Sequence, residues 1–179
     1  MKTLFHILGL FLLSTLLCAC PFSSVYKLDE TPSIYVEDDL LGKWATYVKR
    51  PDSDKDKEEP VKLILSRKSD TEYNIAFIGY LKELRPFNVV TSDSIKGTAF
   101  MSTVGGNQFL NINIKSQNFI AQLKVKDDKL SLLTLSEHFT SKMIRNNTDL
   151  RNCLEIHYKT RVHPMLDEDF CLKDMMRVN

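Results

Sequence analysis

The chain has 179 residues, of which 43% are hydrophobic, and its 24 basic and 23 acidic residues leave a net charge of +1 at pH 7. This composition is ordinary for a single domain that buries a core. Because so small a net charge gives no strong field, we expect neither a nucleic acid nor an anionic surface as a partner held by charge.

Residues 1–19 predict a cleaved export signal. Lys2 supplies a positive charge, an apolar stretch runs from Leu4 to Leu17, and Ala19 is a small residue at the end. The apolar stretch is shorter than the roughly 20 residues that a membrane span needs. Cleavage after residue 19 removes Lys2, one of the 24 basic residues, and leaves 23 residues of each sign.

The run Leu17-Cys18-Ala19-Cys20 resembles the lipobox of bacterial lipoproteins. The resemblance implies that Cys20 becomes the first residue of the mature chain, with a diacylglyceryl thioether and an acylated amino end. Cys18 fits this role less well, because Leu17 before it is too large. Each buried methylene contributes about 0.8 kcal/mol, so several acyl chains hold a protein durably at a membrane. We expect a lipid-anchored protein of the cell envelope, at the outer membrane; secretion without an anchor is the alternative.

The remaining cysteines, Cys153 and Cys171, predict a disulfide. An exported pair usually forms one, and neither a CxxC spacing nor histidines in register point to metal or redox chemistry. Closing this loop would contribute about 3 kcal/mol by the chain-entropy estimate.

In chain order, residues 20–37 predict a polar tether with prolines and scattered aromatic residues that lies partly on the domain. Residues 38–179 predict one lipocalin-like β domain. Asp38 to Leu41 predicts one helical turn with acids at its start. The charged stretch 51–60 predicts a solvated hairpin loop. It resembles the start of a calcium loop but lacks the turn glycine and the distal glutamate.

Eight runs in which apolar and polar side chains alternate predict antiparallel strands with one face on a core. The runs cover 43–49, 61–67, 72–80, 97–104, 108–115, 118–126, 129–135 and 169–178. Gly105-Gly106 predicts a tight hairpin. Between the last two runs we expect a short helix from Ser136 to about Ile144 and a second helix capped by Thr148.

This order predicts a mainly β fold, an eight-stranded antiparallel barrel with a helical insert before the last strand, and an open sandwich is the alternative. Gly42-Lys43-Trp44 resembles the Gly-x-Trp motif of the first lipocalin strand, although the second lipocalin motif, of the Thr-Asp-Tyr type, is missing. The resemblance to lipocalin-like barrels implies that a basic residue near the chain end, Arg177, stacks over Trp44.

Two further segments are similar to a group of Bacteroidetes-type lipoproteins that has no known activity. They are 98–113 (TAFMSTVGGNQFLNIN) and 149–156 (DLRNCLEI). That resemblance extends over most of the mature chain and implies the same layout.

The sequence predicts neither catalytic residues nor a metal or other cofactor. It contains no G-x-S-x-G elbow, no glycine-rich phosphate loop and no HExxH motif. His157 and His163 stand near the acidic run 167–169 but lack metal-ligand spacing, so ordinary surface histidines are expected.

Two functions from different classes remain. In the first, the barrel holds a small apolar ligand among the side chains Phe77, Phe100, Phe109 and Leu123. These side chains would otherwise simply fill the barrel. In the second, a structural or assembly lipoprotein binds an envelope protein through Leu81 to Val90, with Tyr80 and Phe87 exposed.

Overall fold

A computed structural model describes residues 22–49, 58–79, 94–136, 139–140, 142–160, 166 and 171–178. These residues form nine strands, a one-turn 3-10 helix at Asp38–Leu40 and an α-helix, α1, at Asn147–Lys159. The strands are β1 Ser23–Ser24, β2 Gly42–Lys49, β3 Glu58–Arg67, β4 Tyr73–Gly79, β5 Ile95–Val104, β6 Asn107–Ile114, β7 Gln117–Lys126, β8 Lys129–Thr134 and β9 Leu172–Val178.

Strands β2 to β9 form a closed antiparallel barrel. Each of these strands pairs with the next along the chain, and β9 pairs with both β8 and β2. The barrel with a helix before the last strand is therefore confirmed, and the open sandwich is excluded by the β9–β2 pairing. Strand β1, which the alternation pattern did not indicate, pairs with β7 outside the ring.

Tight two-residue turns join β5, β6, β7 and β8. Both residues of each turn have positive φ, at Gly105-Gly106, Lys115-Ser116 and Asp127-Asp128. This backbone twist matches the right-handed twist of the flanking strands, so such turns favour neighbouring hairpins. The Gly105-Gly106 hairpin is confirmed.

The barrel interior contains the larger of two apolar cores. Because successive side chains of a strand point to opposite faces, alternate residues of every barrel strand enter it. Its largest fully buried members include Tyr73, Ile75, Leu63, Leu65, Met101 and Leu110. Two of its members have a polar side-chain group, the hydroxyl of Tyr73 and the indole N–H of Trp44.

The two ends of the barrel are named by the elements that lie there. Alternate connections of an up-and-down barrel share an end, so the β3–β4, β5–β6 and β7–β8 turns lie together with the 3-10 helix. We call this the proximal end. The last residue of β4, the first residue of β5 and the β6–β7 turn lie at the other, the distal end.

A second core lies on the outer face of β5, β6 and β7, under α1. Leu150, Cys153 and Leu154 of the helix pack there against Val104 and Phe109 of the strands. The helix starts two residues earlier than predicted, because Asn146 rather than Thr148 caps it: its side chain accepts a hydrogen bond of 2.7 Å from the Asp149 amide. The predicted helix before it is not present across residues 142–146, which are irregular.

Candidate functional site

Residues 22–37, predicted as a tether, belong to the folded domain. Ser23 and Ser24 pair with Phe119 and Asn118 of β7. Leu28 is buried, and its amide donates to Asn111 Oδ1 over 2.7 Å. We call residues 22–37 the strap. Cys20, the predicted lipidation site, lies outside the described residues, two positions before the strap begins.

Polar side chains of β6 and β7 hold the strap. Asn118 Nδ2 donates to the carbonyl oxygens of Ser24 and Val25 over 3.2 and 3.1 Å. Asn111 Nδ2 donates to Ser102 Oγ over 2.8 Å while its oxygen accepts from the Leu28 amide. Both asparagines lie on the outer face of the barrel, yet Asn111 and Asn118 are only 2% and 4% exposed.

The strap also contacts α1. Arg151 donates to Asp29 over 2.7 Å and to the Thr103 carbonyl over 2.6 Å. The Lys27 amide donates to Asn147 Oδ1 over 3.3 Å. Strap, helix and barrel wall therefore form one connected outer layer.

The proximal end is sealed by Trp44 and Arg177. The Arg177 guanidinium lies 4.7 Å from the Trp44 ring centre, so the expected cation–π contact is present. It also donates to the carbonyl oxygens of Leu41, over 2.8 Å, and Asp39. The indole nitrogen of Trp44 donates to the Leu40 carbonyl over 3.0 Å, which holds the 3-10 helix over the barrel.

Gly42 of the Gly-x-Trp motif has a structural reason for being glycine. Its φ is +130°, and a Cβ there would lie 3.1 Å from the Arg177 side chain. Any other residue would be strained and would crowd the guanidinium that covers Trp44.

Tyr73 fixes the strap at the same end. Its hydroxyl accepts a 2.9 Å hydrogen bond from the Glu37 amide. Burial raises the pKa of Tyr73 above its ordinary value of 10.0, and the hydrogen bond opposes that rise. The pKa of Tyr158, on α1, is raised by burial as well.

At the distal end, the interior side chains are apolar and buried. Phe77 and Ile95 face each other across β4 and β5, and Phe119 lies near the start of β7. Leu63 and Ile75 continue the same wall deeper in the barrel. A molecule that entered the barrel from this end would meet a hydrophobic wall.

The four residues predicted to line a ligand do not come together. Phe77 and Leu123 point into the barrel, where both belong to the inner core. Phe100 and Phe109 point outward: Phe109 packs under α1, and Phe100 lies 5.7 Å from Lys27 Nζ of the strap. The reason is strand alternation, because Ala99, Met101, Leu110 and Ile112 take the inward positions of these two strands.

The predicted disulfide is wrong: no disulfide joins Cys153 and Cys171. Cys153 is buried under α1 in the outer core, where its sulfur lies 3.5 Å from Thr140 Oγ1. Cys171 directly precedes β9, which lies between β8 and β2 rather than under the helix. The helix stripe was predicted correctly, but it faces β5 to β7 and not the last strand.

A groove of about 580 Å³ runs beside α1. Its lining combines apolar, basic and acidic side chains: Met143, Ile156, Cys153, Lys142, Arg145, Lys159, Asp149, Glu155 and Asn152. Met143 is 76% exposed and Ile156 is 43% exposed. Nothing in the sequence pattern distinguished this groove, because Met143 precedes the helix and Ile156 lies off its buried stripe.

Of the remaining candidates, His157 lies on α1 with its ring 6.3 Å from that of Phe139. His163, residues 167–169, the 51–57 part of the charged loop and the predicted protein-binding segment Leu81 to Val90 lie outside the described residues. In the described ranges, no group of three or more metal-ligating side chains comes together. Nor does either described helix have the length and apolarity for a membrane crossing.

Comparisons with protein-family models, with curated proteins and with solved structures find no match for this chain.

Proposed function

We propose that this protein is a lipid-anchored barrel of the bacterial envelope that binds a small apolar molecule at its distal end. The observation that carries the binding proposal is the closed barrel with its apolar interior. Trp44 and Arg177 cover the proximal end of that interior, and Phe77, Ile95 and Phe119 are its members nearest the distal end.

The chemical class of the ligand follows from the interior. Apolar side chains from all eight barrel strands meet in the interior, so a charged group placed among them would lose its hydration. The ligand is accordingly a neutral apolar or amphipathic molecule with its polar part directed out of the barrel. No catalytic role is part of the proposal.

Substitution at Ile95 tests ligand binding. Ile95→Trp adds bulk inside the distal end, whereas Ile78→Trp adds the same bulk on the outer face of β4, where Ile78 is 38% exposed. We expect native mass spectrometry of protein purified from membranes to detect a bound small molecule in the wild type and in Ile78→Trp, and to detect less or none in Ile95→Trp. A wild-type protein without a bound molecule that also fails to bind an apolar fluorescent probe would contradict the proposal.

The anchor is tested separately by Cys20→Ser, with Cys18→Ser as its matched control. We expect Cys20→Ser to leave the membrane fraction and Cys18→Ser to remain there, because the lipobox resemblance places the acyl chains on Cys20. A Cys20→Ser protein that still fractionates with membranes would refute the anchor.

A further inference from the structure

The strap leaves almost no free chain between the proposed lipid and the folded domain. Phe22 already belongs to the fold: its amide donates to the Leu135 carbonyl over 2.7 Å, and its ring packs edge-on against Phe139 with centres 4.8 Å apart. Cys20 is two residues earlier, and two extended residues reach about 7 Å at most.

So short a connection fixes which side of the protein meets the bilayer. The headgroup layer on each side of a membrane is about 5–8 Å thick, half of the difference between the whole bilayer and its hydrocarbon core. A lipidated Cys20 lies in that layer, because its acyl chains lie in the hydrocarbon. Phe22 therefore lies within or directly beside the headgroups, together with the surface around it.

The surface around Phe22 leads to the groove beside α1. The Phe139 ring contacts Phe22 and lies near His157 of the helix. The next residue, Thr140, contacts Cys153 in the groove lining and accepts a 3.1 Å hydrogen bond from the Lys142 amide. The groove is thus one layer of side chains away from the start of the strap.

The chemistry of this side suits a headgroup layer. Met143 and Val25 are 76% and 77% exposed, and Ile156 is 43% exposed, which is unfavourable in water but favourable at an apolar boundary. Lys142 and Arg145 border the same groove together with the acidic Asp149 and Glu155. Long basic side chains can extend toward phosphates while their stems remain on apolar surface.

We propose that the face formed by Val25 and the α1 groove lies against the phospholipid headgroups, with Met143 and Ile156 in the interface. The orientation rests on lipid attachment at Cys20, as proposed above. It places β2, four strands away from β6 in either direction around the barrel, on the side that faces away from the bilayer.

Fluorescence at single labelled sites tests this orientation. The full-length, lipidated protein with Cys153→Ala and Cys171→Ser carries an environment-sensitive fluorophore at Met143→Cys in vesicles of phosphatidylethanolamine and phosphatidylglycerol. Met176→Cys on β9 is the matched control, since Met176 is also exposed, at 58%. We expect a blue shift and several-fold stronger quenching by headgroup-attached spin labels at position 143 than at position 176. Val25→Cys provides a second test position with the same expected result.

Flotation of the vesicles separates the possible failures. If the protein floats with the vesicles and positions 143, 25 and 176 are quenched equally, or not at all, the orientation is overturned and the anchor stands. If the protein does not float, the anchor is overturned and the orientation with it.

Discussion

The two faces of the barrel wall are built from the same strands, but different parts of the chain bury them. The inner face is apolar, and the alternation of side chains alone explains it. The outer face over β5 to β7 is equally buried, yet it mixes Phe109 and Ile120 with Ser102 and Asn111, because the strap and α1 cover it. Burial on the outside thus depends on segments distant in sequence, and buried polar groups there must find specific partners.

The largest expected effect is on the inner face. Trp44→Ala removes a side chain that is 3% exposed, together with its cation–π contact and its bond to Leu40, and should lower the free energy of unfolding by about 3–5 kcal/mol. Tyr47→Ala on the outer face of the same strand, where the side chain is 64% exposed, should change it by less than about 0.5 kcal/mol. Urea denaturation measures both, and equal losses would contradict the assignment of faces.

A similar loss in the free energy of unfolding is expected on the outer face. It would show that the core under α1 stabilises the protein as the inner core does. Leu154→Ala in α1 removes a side chain that is 0% exposed and should cost about 2–5 kcal/mol. Ile156→Ala, two residues later and largely outside the packed stripe, is the control and should cost much less. If the two variants unfold at the same urea concentration, α1 does not pack as described.

A smaller loss is expected where a polar group holds the strap. Asn111→Ala leaves the buried Leu28 amide without its acceptor, which should cost about 1–3 kcal/mol. Faster hydrogen exchange at the Leu28 amide would locate the loss in the strap. Asn74→Ala, an exposed asparagine on β4, should leave both measurements nearly unchanged.

The smallest expected effect is the change of stability with pH. It involves one buried tyrosine of the inner core, Tyr73, and one packed against the outer core, Tyr158. Burial raises the pKa of both Tyr73 and Tyr158 above 10.0, so the folded state keeps their protons at a pH where the unfolded state has lost them. The contribution of these two tyrosines to the free energy of unfolding is therefore fully present below pH 10 and is lost as pH rises above it.

Denaturation midpoints measured at pH 8 and at pH 11 test this fall. Tyr158→Phe should reduce it, and Tyr47→Phe at an exposed position should not. A decline that is the same in all three proteins would mean that other groups cause it.

Much of the inner face could be predicted from sequence, because period-2 alternation and turn residues such as Asp127-Asp128 are local signals. Phe100 was misplaced because β5 has apolar side chains on both faces, so alternation does not say which face is inside. Phe109 was misplaced although it shares a face of β6 with Asn111, which already indicated the outer side. Asn111 resembled a solvent-facing residue since its partner, Leu28, is distant along the chain.

The prediction of a Cys153–Cys171 disulfide was wrong for a related reason. The helix stripe identifies which side of α1 is buried but not which strands it meets. β9 also has an irregularity that a sequence pattern does not show. Two of its residues lie opposite Ser131, and Asp174 has positive φ, so that both Leu172 and Met175 point inward.

The strap has a consequence for the order of folding. Its partners are 83 residues away at Asn111, 120 away at Asn147 and 122 away at Arg151. The strap is near the start of the chain, but it cannot dock until the barrel wall and the helix have formed. Contacts of such long sequence separation form slowly, since the loop between them must close first. During synthesis, the segment that emerges early is thus among the last to reach its place.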